Sequence, residues 1–119
     1  MSYKLIMYGV VGHDSTGLGK LIRGQIILRD KISKITTARI LACRYSKQYM
    51  GTNFGADIYI YEGEKEIEKI YWKSDGCLSE KTTTLLNTPR GYSPIMHYIY
   101  DVNARDGTVK LKKNYQTKW

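Results

Sequence analysis

The stretch from Lys34 to Met50, KITTARILACRYSKQYM, constrains the fold more than any other part of the chain. At about 100° per residue on a helix, six of its apolar and aromatic positions fall within one arc about a third of the way round. Ser33 precedes the stretch as a candidate N-cap, and Gly51 follows it as a candidate C′ residue. We therefore predict one helix over about residues 34–50. Its core-facing stripe consists of Ile35, Ala38, Leu41, Ala42, Tyr45 and Tyr49.

Most of the remaining chain has the pattern of β-strands. Tyr3 to Val11 carries apolar or aromatic residues on both alternating faces, which predicts a central strand. Two hairpins are predicted, the first with a turn containing Gly63 and the second with a turn at Asp106-Gly107. Their strands are Asp57 to Glu62 with Ile67 to Lys73, and Ile95 to Val102 with Thr108 to Lys113. A strand over Gln25 to Arg29 is predicted, with a helix continuing from Thr16 as the alternative. A short helix around Ser79 to Leu86 completes the prediction.

The predicted fold class is α+β, a mostly antiparallel sheet of about five or six strands packed against the one main helix. A chain of 119 residues is the size of one domain. We assign residues 1–113 to this domain and residues 114–119 to a basic C-terminal tail.

Positive charge is concentrated in one part of the chain. Between Lys20 and Lys47 there are eight basic residues and one acid, which account for nearly all of the net charge of +8. On the predicted helix, Arg39, Arg44 and Lys47 form an outward side without acids. Such a cluster favours a polyanionic partner, although it also fits a solvated surface that keeps the protein soluble.

The two cysteines, Cys43 and Cys77, lack CxxC spacing and have no histidine near them in sequence. This predicts neither a zinc site nor a disulfide framework, and it favours a reducing, cytoplasmic location. The apolar run Leu5 to Val11 is too short to span a bilayer, so no membrane partner is expected. Abundant Lys and Ile with sparse Asn and Gln also occur in proteins from hot environments.

The stretch from Gly12 to Lys20, GHDSTGLGK, has the composition of a turn whose backbone N–H groups can converge on an anion. It is not a Walker A loop, because Leu18 occupies the lysine place. An ordinary flexible connection is the alternative. The candidate phosphate-binding residues are Gly12, Ser15, Thr16, Gly17 and Gly19, with Arg90 from a later turn-rich segment.

The first five residues of that stretch, Gly12-His13-Asp14-Ser15-Thr16, resemble the G-H-D-S-T run of viral ring nucleases. These anti-CRISPR enzymes cut cyclic tetra-adenylate. The resemblance covers 5 of 119 positions. It implies that His13 acts as the general acid when a 2′-hydroxyl attacks phosphate.

Nucleic-acid binding is the first functional hypothesis. Basic residues would contact phosphates, and tyrosines would stack on bases if the two hairpins share a sheet. Tyrosines on a strand equally fit core packing or a homodimer interface. The candidate residues are Lys20, Arg23, Arg39, Arg44 and Lys47, with Tyr59, Tyr61, Tyr98 and Tyr100 as stacking rings.

The alternative is a metal-independent phosphodiesterase or nuclease. His13 and His97 are the only histidines, so a two-histidine mechanism requires both. A third hypothesis is a cyclic-nucleotide-binding protein of viral or mobile-element type that uses the Gly12 to Lys20 loop. None of these hypotheses needs a cofactor or a metal ion.

Overall fold

One antiparallel sheet and one helix make up the described part of the chain. The computed structural model describes residues 2–13, 21–50, 56–74, 76–84 and 95–117. The elements are β1 (Tyr3–His13), β2 (Leu21–Ile32), α1 (Ile35–Tyr49), β3 (Ile58–Glu62), β4 (Lys65–Lys73), β5 (Gly76–Thr84), β6 (Ile95–Val102) and β7 (Val109–Thr117). The strands lie in the order β2-β1-β3-β4-β5-β6-β7. The α+β prediction is confirmed, with seven strands in place of five or six.

The predicted core stripe of α1 packs on the sheet. Ala38 and Ala42 are fully buried in the main core cluster, and the other four stripe residues pack against its edge. The predicted Ser33 cap is wrong, because Lys34 is the N-cap residue and no side chain caps the helix. No helix in the described ranges is long and apolar enough to cross a membrane.

Both predicted hairpins are present. Gly63 has a φ of 62° in the turn between β3 and β4, and Gly107 has a φ of 75° in the turn between β6 and β7. The β7 strand continues through Asn114–Thr117, which the sequence analysis assigned to a C-terminal tail. Strand β2 is likewise longer than the segment predicted for it. Gly51 lies outside the described residues.

The short helix predicted around Ser79 is wrong, because this segment forms β5. Its side chains alternate with the period of two that defines a strand. Cys77, Ser79 and Lys81 face α1, whereas Leu78 and Glu80 face the other side of the sheet. Thr82 to Thr84 are β-branched and favour a strand, and the prediction of a helix did not take this into account.

A disulfide joins Cys43 of α1 to Cys77 of β5. The prediction that the two cysteines form no disulfide framework is therefore wrong. The cysteines are 34 positions apart, and the sequence between them gave no local signal of pairing, because the contact depends on where α1 lies on the sheet. A bond that closes a loop of this length stabilises the fold chiefly by restricting the unfolded chain.

Among the described residues, only one face of the sheet is covered by the helix, and we call the other the open face. Leu5, Ile58, Ile60 and Ile70 point toward α1 and form the main core. On the open face, Ile6, Leu78 and Ile99 are also buried, and Ile6 and Leu78 pair across strands with Tyr59 and Tyr71. The tyrosines of the open face therefore help to bury a second, thinner apolar layer.

Gly107 permits the close approach of the β6–β7 turn to the start of α1. A Cβ atom at this position would overlap the backbone carbonyl of Thr36, and its positive φ disfavours L side chains. Gly107→Ala is expected to lower the free energy of unfolding by more than about 3 kcal/mol, because the overlap adds to a conformational cost of roughly 1–2 kcal/mol. Urea denaturation measures the change.

The matched control is Gly63→Ala, which has a similar φ but open space around the new methyl group. This variant should lower the free energy of unfolding only by the conformational cost of the positive φ, roughly 1–2 kcal/mol. Equal losses in the two variants would show that the packing of Gly107 on Thr36 contributes nothing to stability.

Candidate nucleic-acid interface

A groove of about 460 Å³ lies beside the C-terminal half of α1, and we call it the helix groove. One wall comes from α1 and the floor comes from β4, with Ala104 of the β6–β7 turn at the edge. Its lining combines an aromatic ring, two basic side chains and an amide. The lining residues are Cys43, Arg44, Lys47, Gln48, Trp72 and Ala104.

Trp72 is fixed in the helix groove by two connections between the helix and the sheet. Its indole Nε1–H donates a hydrogen bond of 2.6 Å to the backbone carbonyl of Cys43. Cys43 is in turn bonded to Cys77, which pairs with Trp72 across β4 and β5. The ring is half-buried, so part of it remains accessible from the groove. These contacts hold it in place before any ligand binds.

Arg44 and Lys47 are exposed on the solvent side of α1, as predicted. The Lys47 ammonium lies 5.2 Å from the centroid of the Trp72 ring. Neither side chain forms a salt bridge with a carboxylate in the described ranges. The helix groove therefore offers positive charge next to an aromatic surface.

Arg39 does not belong to this exposed side, so its predicted placement is wrong. Its side chain is 10% exposed, and its Nε atom lies 3.1 Å from both carboxylate oxygens of the fully buried Glu68. It also donates a hydrogen bond of 3.3 Å to the carbonyl of Gly107. On the helical wheel Arg39 is only about 40° from Ile35, at the border of the apolar stripe. Because the sheet is broad, it buries Arg39 at the border of the apolar stripe as well.

The four candidate tyrosines share one sheet but not one face. Tyr59 and Tyr61 lie on the open face, whereas Tyr98 and Tyr100 lie on the side of α1, paired with Lys81 and Ser79. They do not form the single stacking platform that the sequence analysis considered. The two open-face rings also contact Tyr8, which meets Tyr59 edge-on at 5.2 Å and Tyr61 through a 3.0 Å hydrogen bond between hydroxyls. That hydrogen bond, followed by burial, raises the pKa of Tyr61 to about 12.

His97 lies in a second groove, of about 440 Å³, on the open face. We call this the open-face groove, and Tyr59, Glu66, Lys69, Glu80 and Tyr115 also line it. His13 ends β1, and three strands separate β1 from β6. At about 4.8 Å per strand the two strands are roughly 19 Å apart, so the fold does not bring the two histidines together in one site.

Several predicted residues lie wholly or partly outside the described part of the chain. Gly12 pairs with Ile22, but the side chains of His13 and Arg23 are not among those described. The Gly12 to Lys20 hypotheses therefore stay predictions. The remaining candidates outside the described residues are Ser15, Thr16, Gly17, Gly19, Lys20 and Arg90.

The sequence analysis missed Trp72. Trp72 follows Ile70 by two residues, so the alternation of a strand places both side chains on the helix side of β4. This alternation could have identified Trp72 from the sequence. Among the described residues, no group of three His, Cys, Asp or Glu side chains is arranged to hold a metal ion.

Comparisons with protein-family models, with curated proteins and with solved structures find no match to this chain. The likeness to viral ring nucleases stays a prediction that rests on five residues.

The buried ion pair of Arg39 and Glu68 yields a test of stability. Arg39→Met is expected to lower the free energy of unfolding by about 3–5 kcal/mol, because the Glu68 carboxylate stays buried without its main partner. The double variant Arg39→Met/Glu68→Met should recover most of the loss. Urea denaturation of both measures this difference. Arg44→Met, on the exposed side, should change stability by no more than about 0.5 kcal/mol. Equal losses for Arg39→Met and Arg44→Met would contradict the assignment.

Glu80 generates a pH dependence of stability. Burial raises the pKa of its carboxyl, but the hydrogen bonds and charges of Lys69 and His97 outweigh burial, so the pKa lies below the ordinary 4.5. The contribution of ionised Glu80 to the free energy of unfolding is therefore present above pH 4.5. It is lost as the pH falls through the lower pKa of the folded protein. Thermal melts over this acidic range should show a smaller loss of stability for Glu80→Gln than for the wild type. Glu64→Gln, in the exposed β3–β4 turn, should follow the wild-type profile.

Proposed function

We propose that the protein binds single-stranded nucleic acid in the helix groove. One base stacks on Trp72, and Arg44 and Lys47 contact the phosphates on either side of it. The observation that carries the proposal is the pairing of a fixed, half-buried indole with two exposed basic side chains. Stacking on an aromatic side chain is tolerant of sequence, since every base has a π-face.

The chemistry of the groove favours a single strand over a duplex. A base must be unstacked from its neighbours before it can lie on an indole, and single strands supply such bases at low cost. A base that stacks on Trp72 takes the place of the Lys47 ammonium at the ring. The flexible stem of Lys47 lets that ammonium move from the ring to a phosphate. Gln48 at the groove wall adds an amide that can hydrogen-bond a base edge.

A nucleic-acid partner favours the cytoplasmic location expected from the sequence. Disulfides are rare in that compartment, with proteins of hyperthermophilic organisms as the main exception. The Cys43–Cys77 bond and the abundance of Lys and Ile both fit an organism from a hot environment. We therefore include an intracellular, heat-adapted setting in the proposal.

Binding can be followed through Trp72 itself. In a Trp119→Phe background Trp72 is the only tryptophan, and its emission should be quenched when a short oligothymidylate or oligouridylate binds. In the same background, Arg44→Ala/Lys47→Ala should weaken binding. It should also reduce the slope of log K against log salt by about 1.4, at about 0.7 for each phosphate contact on a single strand. Titrations at several salt concentrations measure both quantities.

A control that removes one surface charge elsewhere is Lys65→Ala, at the exposed start of β4 away from the groove lining. It should leave the salt slope unchanged. Trp72→Phe, followed by the anisotropy of a labelled oligonucleotide, should retain weaker binding because a smaller ring remains. An absence of binding at low salt, or a full wild-type slope in the double variant, would refute the proposal.

A further inference from the structure

Three side chains on the open face are connected in a line across neighbouring strands. Nδ1 of His97 lies 3.3 Å from Oε1 of Glu80, and Nε2 of His97 lies 2.7 Å from the hydroxyl of Thr117. They come from β5, β6 and β7 and point the same way because of the register. His97 is opposite Thr82 and Tyr115. Glu80 comes two residues before Thr82, and Thr117 comes two residues after Tyr115.

The order of these contacts assigns a role to each group. An ionised Glu80 only accepts hydrogen bonds, so Nδ1 of His97 carries the proton that faces it. When the ring is in its neutral form, Nε2 has a lone pair that accepts the hydrogen bond of the Thr117 hydroxyl. A carboxylate that orients an imidazole, which in turn contacts a hydroxyl, is the arrangement that activates an oxygen nucleophile.

Other contacts hold this line in place. The ring of Tyr115 stacks on His97 with centroids 4.5 Å apart and an angle of 5° between the planes. The Tyr115 hydroxyl donates a hydrogen bond of 3.4 Å to Oε1 of Glu80, and the Lys69 ammonium lies 3.1 Å from Oε2. Lys69 thereby keeps Glu80 ionised. Imidazole and carboxylate are both restrained before a substrate arrives.

The open-face groove indicates the substrate class. Its volume of about 440 Å³ suits a small molecule, and its walls include the aromatic rings of Tyr59 and Tyr115. The Glu66 carboxylate also lines it and makes no salt bridge with the described cations. Lys69 offsets the charge of Glu80, so the Glu66 carboxylate leaves the lining with a negative charge that disfavours a phosphodiester. A neutral or cationic carboxylic ester fits this lining better.

We propose an esterase site beside the open-face groove, in which Thr117 is the nucleophile, His97 the general base and Glu80 the positioning residue. His97 and Glu80 line the groove, and Thr117 adjoins it through its hydrogen bond to His97. Oγ1 of Thr117 attacks the ester carbonyl carbon while its proton passes to Nε2 of His97. The bond from that carbon to the alcohol oxygen breaks, and His97 returns the proton to the leaving oxygen. Water then attacks the acyl group on Thr117 with His97 again as base, releasing the acid and restoring the hydroxyl.

The test uses the full chain and a 4-nitrophenyl ester with a short acyl group. Release of nitrophenolate is expected, with an acyl adduct found by mass spectrometry on the peptide that contains Thr117. Thr117→Val and His97→Gln should each lower kcat by about 100-fold or more, whereas Thr117→Ser should keep activity and carry the adduct on the new hydroxyl. Glu80→Gln should lower kcat more than it changes KM, because it acts through the orientation of His97.

Thr83→Val is the matched control, since Thr83 is an exposed strand residue on the opposite side of the sheet. It should leave the rate unchanged, and bis(4-nitrophenyl) phosphate should not be hydrolysed. Wild-type rates in a folded Thr117→Val variant, or an acyl group attached elsewhere, would overturn the proposal. If that variant does not fold, an inactive but folded Thr117→Ser would overturn it as well. Because the site is on the face opposite the helix groove, its failure leaves nucleic-acid binding untouched.

Discussion

The buried ion pair between Arg39 and Glu68 determines how the helix sits on the sheet. Glu68 is fully buried, and besides Arg39 it accepts a hydrogen bond of 2.8 Å from Ser79 and lies 3.7 Å from the Lys81 ammonium. Arg39 also reaches the carbonyl of Gly107. One network therefore joins α1 to β4, β5 and the β6–β7 turn. A buried pair of this kind adds little net stability, but a misplaced helix would leave both charges without partners, which makes other positions of α1 costly.

That position of the helix separates two kinds of chemistry. On the helix side, Arg44 and Lys47 remain in solvent beside Trp72, whose indole is bonded to the backbone of α1. On the open face, cross-strand neighbours bring carboxylate, imidazole and hydroxyl groups together without any contribution from the helix. The exposed Arg44 and Lys47 thus lie on the opposite side of the sheet from the contacts among Glu80, His97 and Thr117.

The fold was predictable where the information was local. The helix stripe and both hairpins followed from periods of 3.6 and 2 and from turn glycines. The β5 strand was missed because its alternating residues include Ser, Glu, Lys and Thr. Its two faces therefore differ little in hydrophobicity. For the site, Arg44, Lys47 and His97 were identified as candidates, but Trp72 and Thr117 were not. The chemical importance of these two residues comes from partners on other elements.

By itself, the sequence determined one amphipathic helix, strands with alternating faces, and a basic segment on and before the helix, because each depends on residues close together in the chain. Only the tertiary structure decided that Arg39 meets Glu68 across 29 residues, that Cys43 bonds to Cys77, and that two pairs of tyrosines face opposite ways. The physical reason is that strand order and register are set by long-range pairing. A pattern along the chain specifies which faces a strand has, but not which neighbours will lie beside them.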